Sequence, residues 1–180
     1  MVIFMKKKRL VERMIEVGAL KFGDFILSSG KRSRVYVDVK IASTYPDILN
    51  MIADGIAEIL GDTEFDKIAC VELGGVPIAV ATSLKLHKPL VIFRKERKGY
   101  GLGGDRIGDI RRGERVVIVE DVITTGKSAL SVVRRVEESG GSVVTIITVV
   151  DREESGGSYP SLLKLRELLE FHNSLNSAKS

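Results

Sequence analysis

Apolar residues follow one another along the chain in two alternating patterns, short continuous runs and longer stretches at helical spacing. The stretch 47–60 places isoleucine or leucine every three to four residues, with a proline before it and a glycine after it, which predicts a helix. The runs Lys67–Val71 and Leu90–Phe93 predict strands, and the apolar stretch 76–86 between them predicts a second helix.

The alternation continues in the second half of the chain. The runs Arg115–Val119 and Ser142–Val150 predict strands, and the apolar positions between 129 and 136 lie at helical spacing before Gly140. Nearly continuous apolar strands are typical of parallel sheets that helices cover on both faces. The predicted fold class is therefore α/β, a parallel sheet flanked by helices.

The two ends of the chain lack this regular alternation. Residues 1–40 predict a helix and strand-like pieces, and the tail predicts a helical stretch around 162–169. We expect the N-terminal segment, with or without the C-terminal one, to form a small hood over a core at about 41–155. The 180 residues are predicted to form one domain.

Composition narrows the kind of protein. With 44% apolar residues the chain can bury a core without disulfides, and the single cysteine, Cys70, cannot form an internal one. No N-terminal stretch resembles a secretion signal, and no apolar run approaches the roughly 20 residues that cross a bilayer. We therefore expect a cytoplasmic protein with no membrane partner.

The net charge of +4 is gathered in basic clusters at 6–9, 31–34, 94–98 and 111–112. Such clusters suit polyanions, which include both nucleic acid and small phosphorylated molecules. The chain has only six Phe and four Tyr, and it has no zinc-finger or RNP pattern. We therefore expect small phosphorylated ligands and no nucleic acid.

The segment Val116–Ser128 is the most informative, because an apolar strand runs into two acids and then into a turn of small residues that opens a helix. Ligands of open α/β sheets bind beyond the carboxyl ends of strands, where Glu120 and Asp121 are expected. These carboxylates could accept the hydroxyl protons of a ribose. The turn Thr124–Ser128 offers N–H groups and hydroxyls at a helix N-terminus, which suits a monophosphate.

Two nucleotide-binding motifs match only superficially. Gly126–Ser128 looks like the end of a Walker A loop, but the earlier glycine of that motif would stand at position 121, where Asp121 would repel phosphate. Gly99, Gly101 and Gly104 fit the dinucleotide-binding spacing, but no apolar helix follows them. Neither motif is therefore assigned a role.

The segment 116–128 instead resembles the phosphoribosyl-pyrophosphate signature of the type I phosphoribosyltransferases. Three further segments are similar to those of the orotate phosphoribosyltransferases within that family, namely 22–39, 94–101 and 150–155. The four matches follow the family's order along the chain. The resemblance implies the type I phosphoribosyltransferase fold, with a mobile catalytic loop at about 94–109.

The resemblance also implies a role for individual residues. Lys98, Glu120 and Asp121 would be catalytic, and orotate would contact Thr124, Arg152 and Tyr36. Phosphoribosyl pyrophosphate would contact Arg94, Lys95, Lys98, Tyr100, Gly74, Gly75, Glu120, Asp121, Val122, Ile123, Thr124, Thr125, Gly126, Lys127 and Ser128. Magnesium would be held mainly through the substrate, without a protein metal site.

Some positions depart from the family's pattern or allow another interpretation. Tyr100 stands where a loop histidine is expected, and the turn Glu72–Pro77 lacks a lysine that many relatives carry, for which the N–H groups of its glycines could substitute. Arg152 could instead form a surface ion pair with Glu153 or Glu154. Tyr36 could equally be an ordinary core aromatic of a strand.

The function implied by the resemblance is the transfer of phosphoribose from phosphoribosyl pyrophosphate to orotate in pyrimidine synthesis. A homodimer whose subunits share the loop 94–109 is implied as well. Two alternatives stay open at this point. One is a phosphoribosyltransferase for another base, and the other is a non-catalytic regulator on the same fold that senses nucleotides.

Overall fold

The computed structural model describes residues 2–27, 30–95 and 104–177 of the chain. The elements are α1 (Val2–Glu16), β1 (Leu20–Ile26), β2 (Arg32–Val37), α2 (Val39–Ala42), α3 (Pro46–Leu60), β3 (Lys67–Val71), α4 (Gly75–Leu86), β4 (Leu90–Phe93), β5 (Arg106–Ile107), β6 (Arg115–Ile123), α5 (Lys127–Glu138), β7 (Ser142–Asp151), β8 (Ser161–Lys164) and α6 (Leu165–Ser177). The helices and strands predicted between 46 and 151 are confirmed.

Six strands form the central sheet in the order β5-β4-β3-β6-β7-β8. Five of them run parallel, and the short β5 pairs antiparallel with β4 at one edge. The predicted α/β class with a parallel sheet is therefore confirmed. Because parallel strands end on the same side, the carboxyl ends of β3, β4, β6 and β7 lie along one edge, where ligands of such sheets bind.

Helices cover the sheet on both faces, as the continuous apolar strands predict. On one face the fully buried Ile48, Ile52 and Ile56 of α3 pack in a core cluster that also receives α4. On the other face Val132 and Val136 of α5 pack against a second cluster. The middle of the sheet is therefore packed between helices, and this arrangement holds the strand ends in fixed positions.

The N-terminal hairpin and the tail lie beside this body. Strands β1 and β2 form a separate antiparallel sheet, and α6 contacts it through Phe22 and His172, whose rings stack 4.3 Å apart. The predicted tail helix is wrong in its first part, because Leu162 and Leu163 lie in β8. Both leucines are buried, since the strand pairs with the open edge of β7, which the sequence alone could not reveal.

Candidate active site

The turn after β6 is built to approach an anion closely. Gly126 has a φ of +76°, and a Cβ there would lie 2.9 Å from the hydroxyl of Tyr159, so both conformation and space require glycine. No side chain caps the first turn of α5 at Gly126. Thr125 and Ser128 on either side of it are exposed, and the first N–H groups of a helix lack partners within the helix, as a phosphate site would require.

Strand β6 runs further than the sequence predicts. Val122 and Ile123 pair with Val150 and Asp151 of β7, so they belong to the strand and not to the turn. Ile123 is 2% exposed, and its carbonyl oxygen accepts the N–H of Arg152 at 2.9 Å. Any contact of these two residues with phosphate would have to come through the end of the strand, while Thr124 begins the turn.

The two neighbouring acids at the end of β6 have different surroundings, because successive strand residues point to opposite faces. Asp121 is half-buried, and one of its carboxylate oxygens accepts the N–H of Val122 at 2.9 Å. Glu120 is 3% exposed, and its Oε1 atom has no hydrogen-bond partner among the described residues. Burial, and secondarily the nearby Asp121, raise the pKa of Glu120 to about 8.

The turn between β3 and α4 packs directly against these acids. A Cβ on Gly74 would overlap the carboxylate of Asp121, and one on Gly75 would lie 3.1 Å from the carbonyl oxygen of Val119. The peptide bond between Glu72 and Leu73 is cis. Only glycine lets the main chain come this close, which explains the Gly74–Gly75 pair in the turn that lacks a lysine.

The residues after β4 approach the same edge of the sheet. Arg94 is half-buried, and within the described ranges its Nε atom has no hydrogen-bond partner. The N–H of Lys95 donates to a carboxylate oxygen of Glu72 at 3.1 Å, which ties this segment to the β3–α4 turn. Lys98 and Tyr100 lie outside the described residues, so their predicted roles stay predictions.

Arg152 follows β7 and is 7% exposed. Its Nε donates to Glu154 at 3.1 Å and its Nη2 donates to the hydroxyl of Ser33 at 3.2 Å, while Lys31 binds Glu154 at 2.9 Å. Lys31, and then Arg152, lower the pKa of Glu154. The alternative ion pair with Glu154 therefore exists, but it is not a surface pair, and it borders a cavity of about 350 Å³.

The hairpin β1–β2 contributes residues that sequence reasoning did not single out. Ser33 of β2 contacts Arg152 although the two lie 119 positions apart, and Lys31 reaches the same group. Tyr36 is half-buried, and its ring centroid lies 5.7 Å from that of Phe25. Both of its predicted roles, a face for the base and a hairpin core residue, remain compatible with this position.

Other chemistry-bearing residues receive no role here. Cys70 lies buried in β3, and burial raises the pKa of its thiol to about 12, which disfavours a nucleophilic thiolate. Within the described ranges no three His, Cys, Asp or Glu side chains converge as a metal cage. None of the described helices is both long enough and apolar enough to cross a bilayer.

Comparisons with known proteins match the chain to one family. Residues 42–158 match the family of the phosphoribosyl transferase domain. An orotate phosphoribosyltransferase of Archaeoglobus fulgidus is 72% identical over 171 residues, covering 95% of this chain and 96% of the relative.

Two crystal structures are also similar to the chain. The orotate phosphoribosyltransferase of Aeropyrum pernix aligns with a TM-score of 0.80 and 34% identity, over 91% of this chain and 98% of that one. The orotate phosphoribosyltransferase of Mycobacterium tuberculosis, in complex with 5-phospho-alpha-D-ribosyl 1-diphosphate, aligns with a TM-score of 0.70 and 30% identity over the same shares.

Proposed function

Because the chain belongs to the phosphoribosyltransferase family, and within it to the orotate phosphoribosyltransferases of pyrimidine synthesis, we propose that its site transfers the 5-phosphoribosyl group of phosphoribosyl pyrophosphate to orotate. The products are orotidine 5'-monophosphate and pyrophosphate. The observation that carries the proposal is the contact between Gly74 and Asp121, which joins the predicted pyrophosphate turn to the predicted ribose acid.

The 5'-phosphate binds at the start of α5, where the turn Thr124–Ser128 presents N–H groups and hydroxyls. The ribose lies over Asp121, whose carboxylate accepts its hydroxyls. Glu120 accepts a further hydroxyl through the oxygen that lacks a partner among the described residues. These contacts hold the anomeric carbon in place for attack, and the negative charge of Asp121 stabilises the cationic character of the ribose ring in the transition state.

Pyrophosphate leaves along the Gly74–Gly75 turn, where the main chain approaches most closely, and beside Arg94 and Lys95. The cations Arg94, Lys95 and Lys98 neutralise the charge that develops on the leaving group. Magnesium would be held mainly through the substrate and would supply further positive charge there. Tyr100 replaces the expected histidine, and it donates a hydrogen bond without adding a full charge.

Orotate is recognised by its carboxylate. Arg152 is buried, and Glu154 and Ser33 fix its guanidinium through Nε and Nη2. The Nη1 group and the second Nη2 hydrogen, which donate to none of the described residues, serve as parallel donors for a carboxylate. Thr124 contacts the base from the phosphate turn, and Tyr36 offers its ring as an aromatic face.

The substrate assignment is tested by following absorbance with phosphoribosyl pyrophosphate and magnesium, with orotate, uracil, adenine and hypoxanthine in parallel. Orotate turnover should exceed that of the other bases, because only orotate carries the carboxylate that Arg152 binds. Equal or faster turnover of adenine would contradict the proposal.

The proposal includes a homodimer in the cytoplasm whose subunits share the loop 94–109. Arg94 and Lys95, at the base of the loop, serve the site of their own chain, and the part that carries Lys98 reaches the site of the other. Exposed apolar residues at α4 support a subunit interface. Val80 and Leu84 lie one turn apart on the helix and are 39% and 72% exposed, and Leu73 in the preceding turn is 74% exposed. The single, buried Cys70 suits a reducing compartment.

Subunit complementation tests the shared loop. Chains with Lys98→Ala and chains with Asp121→Asn, each inactive alone, are mixed and allowed to exchange, which mass spectrometry of intact dimers verifies. Each hybrid dimer then holds one site with both native residues, so activity should return to about a quarter of that of the native dimer. If hybrids form without activity, Lys98 serves its own chain.

A further inference from the structure

Arg135 lies on α5 with 5% of its surface exposed, and it binds both ends of the segment that joins β4 to β5. Its Nη1 donates to the carbonyl oxygen of Arg94 at 2.7 Å. Its Nε donates to the carboxylate of Asp105 at 3.0 Å, and its Nη2 donates to the carbonyl oxygen of the same residue. The guanidinium also lies 4.5 Å from the centroid of the Phe93 ring.

Neighbouring contacts fix the same base of the segment. The N–H of Arg94 donates to the carbonyl oxygen of Asp105 at 2.9 Å, so the two ends bind each other as well as Arg135. The hydroxyl of Ser139 accepts from Arg106 at 2.7 Å and donates to the carbonyl oxygen of Arg135 at 2.7 Å. Helix α5 thus holds both strands where the segment begins and ends.

This arrangement is a poor way to gain stability alone. A buried ion pair loses much of its Coulomb energy to desolvation, and apolar replacements of such pairs are often neutral or stabilising. A planar guanidinium, however, holds several acceptors at fixed angles, which an apolar side chain cannot do. We therefore expect Arg135 to specify the geometry of the Arg94 main chain and not the free energy of unfolding.

We propose that Arg135 is a positioning residue for pyrophosphate binding, acting through Arg94, and this rests on the proposed function. Arg135 fixes the main chain of Arg94. The side chain that extends from it has a buried Nε atom without a hydrogen-bond partner among the described residues. The same helix begins at the phosphate turn, eight residues or about 12 Å before Arg135. One rigid helix therefore sets the distance between the 5'-phosphate site and Arg94.

The affinities of three ligands, measured by calorimetry, test this role. On the proposed function, phosphoribosyl pyrophosphate and pyrophosphate reach Arg94, whereas orotidine 5'-monophosphate does not. In Arg135→Met the affinity for the first two should fall about tenfold, the size of one charged hydrogen bond, while that for the nucleotide stays within about twofold. Arg135→Lys, which keeps the charge, should recover part of the loss. The matched control is Arg134→Met, at the exposed neighbouring position, which should change none of the three.

A double-mutant cycle decides whether the effect passes through Arg94. If it does, Arg135→Met or Arg135→Lys should weaken pyrophosphate little further once Arg94→Ala is present. The inference would be overturned if the losses of pyrophosphate affinity in the single variants multiplied in the double variant, or if orotidine 5'-monophosphate lost as much affinity as pyrophosphate. If the methionine variant does not fold, the lysine variant alone decides. A native protein that binds none of the three ligands would instead overturn the proposed function.

Discussion

The two halves of the site are constructed differently. The half assigned to ribose 5-phosphate lies in one continuous stretch, 120–128, in which strand, acid, turn and helix start follow one another. The half assigned to pyrophosphate combines the Glu72–Pro77 turn, the Arg94–Lys95 segment and a clamp from Arg135. The first half therefore depends on local sequence, whereas the second depends on packing between distant segments.

The halves meet at a single contact, where Gly74 lies against the carboxylate of Asp121. An acid held by a parallel strand can shift little, so the turn must adapt to it, and only glycine leaves the space. This contact fixes the position of the pyrophosphate half, which comes from several segments, relative to the ribose 5-phosphate half, which comes from one.

The largest effect is expected from Asp121→Asn, in the local half. The substitution removes the charge facing the ribose but keeps the shape, so turnover should fall about 100-fold to 1000-fold. Circular dichroism should stay native, because Asp121 is half-buried at a strand end. Asp62→Asn, in the exposed turn after α3, is the control. Near-native turnover would show that the local half has been misassigned.

A smaller effect is expected from Gly74→Ala, which acts on the junction itself. The added methyl group would displace the Asp121 carboxylate, and a misfit of about 1–3 kcal/mol in the transition state lowers kcat/KM for phosphoribosyl pyrophosphate about tenfold to 100-fold. Gly157→Ala is the matched control, since its Cβ would meet only atoms at 3.8 Å or more. An equal loss in both variants would contradict the importance of the junction.

Arg152→Lys separates base recognition from both phosphate sites. Lysine keeps the charge but cannot bind a carboxylate with two parallel donors, so the KM for orotate should rise about tenfold. The KM for phosphoribosyl pyrophosphate should not change, because the guanidinium that the substitution alters contacts Glu154 and Ser33, outside both halves. Steady-state kinetics with each substrate varied in turn measures both values, and a matching rise in both would place Arg152 elsewhere in the mechanism.

The contrast between the halves also explains what the sequence could predict. The stretch 120–128 was recognisable because each of its parts has a local cause, a buried strand, a glycine with positive φ and an uncapped helix start. The sequence does not single out Ser33, Glu154 and Arg135 as functional, because their roles come from contacts across 30 to 123 positions. Within the local stretch the misjudged feature was the length of β6, which depends on pairing with β7.

The smallest effect is expected in the pH dependence of stability. It concerns Glu120 and tests whether the two adjacent acids of the local half differ in protonation. The folded protein keeps the Glu120 proton up to a pKa of about 8, whereas the unfolded chain loses it near the ordinary value of 4.5. Between these pH values the folded state binds more protons, so this group lowers the stability of the native protein as pH rises through the window.

Glu120→Gln removes that dependence while keeping the shape of the neutral acid. Melting temperatures of both proteins at pH 5.5 and 8.5 should diverge in favour of the glutamine variant by several degrees, since about 1 kcal/mol shifts a protein of this size by roughly 2–4 °C. Glu137→Gln, at an exposed position on α5, controls for the loss of one carboxylate. If the melting temperatures of the native and glutamine proteins changed with pH in the same way, Glu120 would be ionised and solvated like an ordinary surface acid. The alternation of faces along β6 would then fail to explain why only Asp121 is open to solvent.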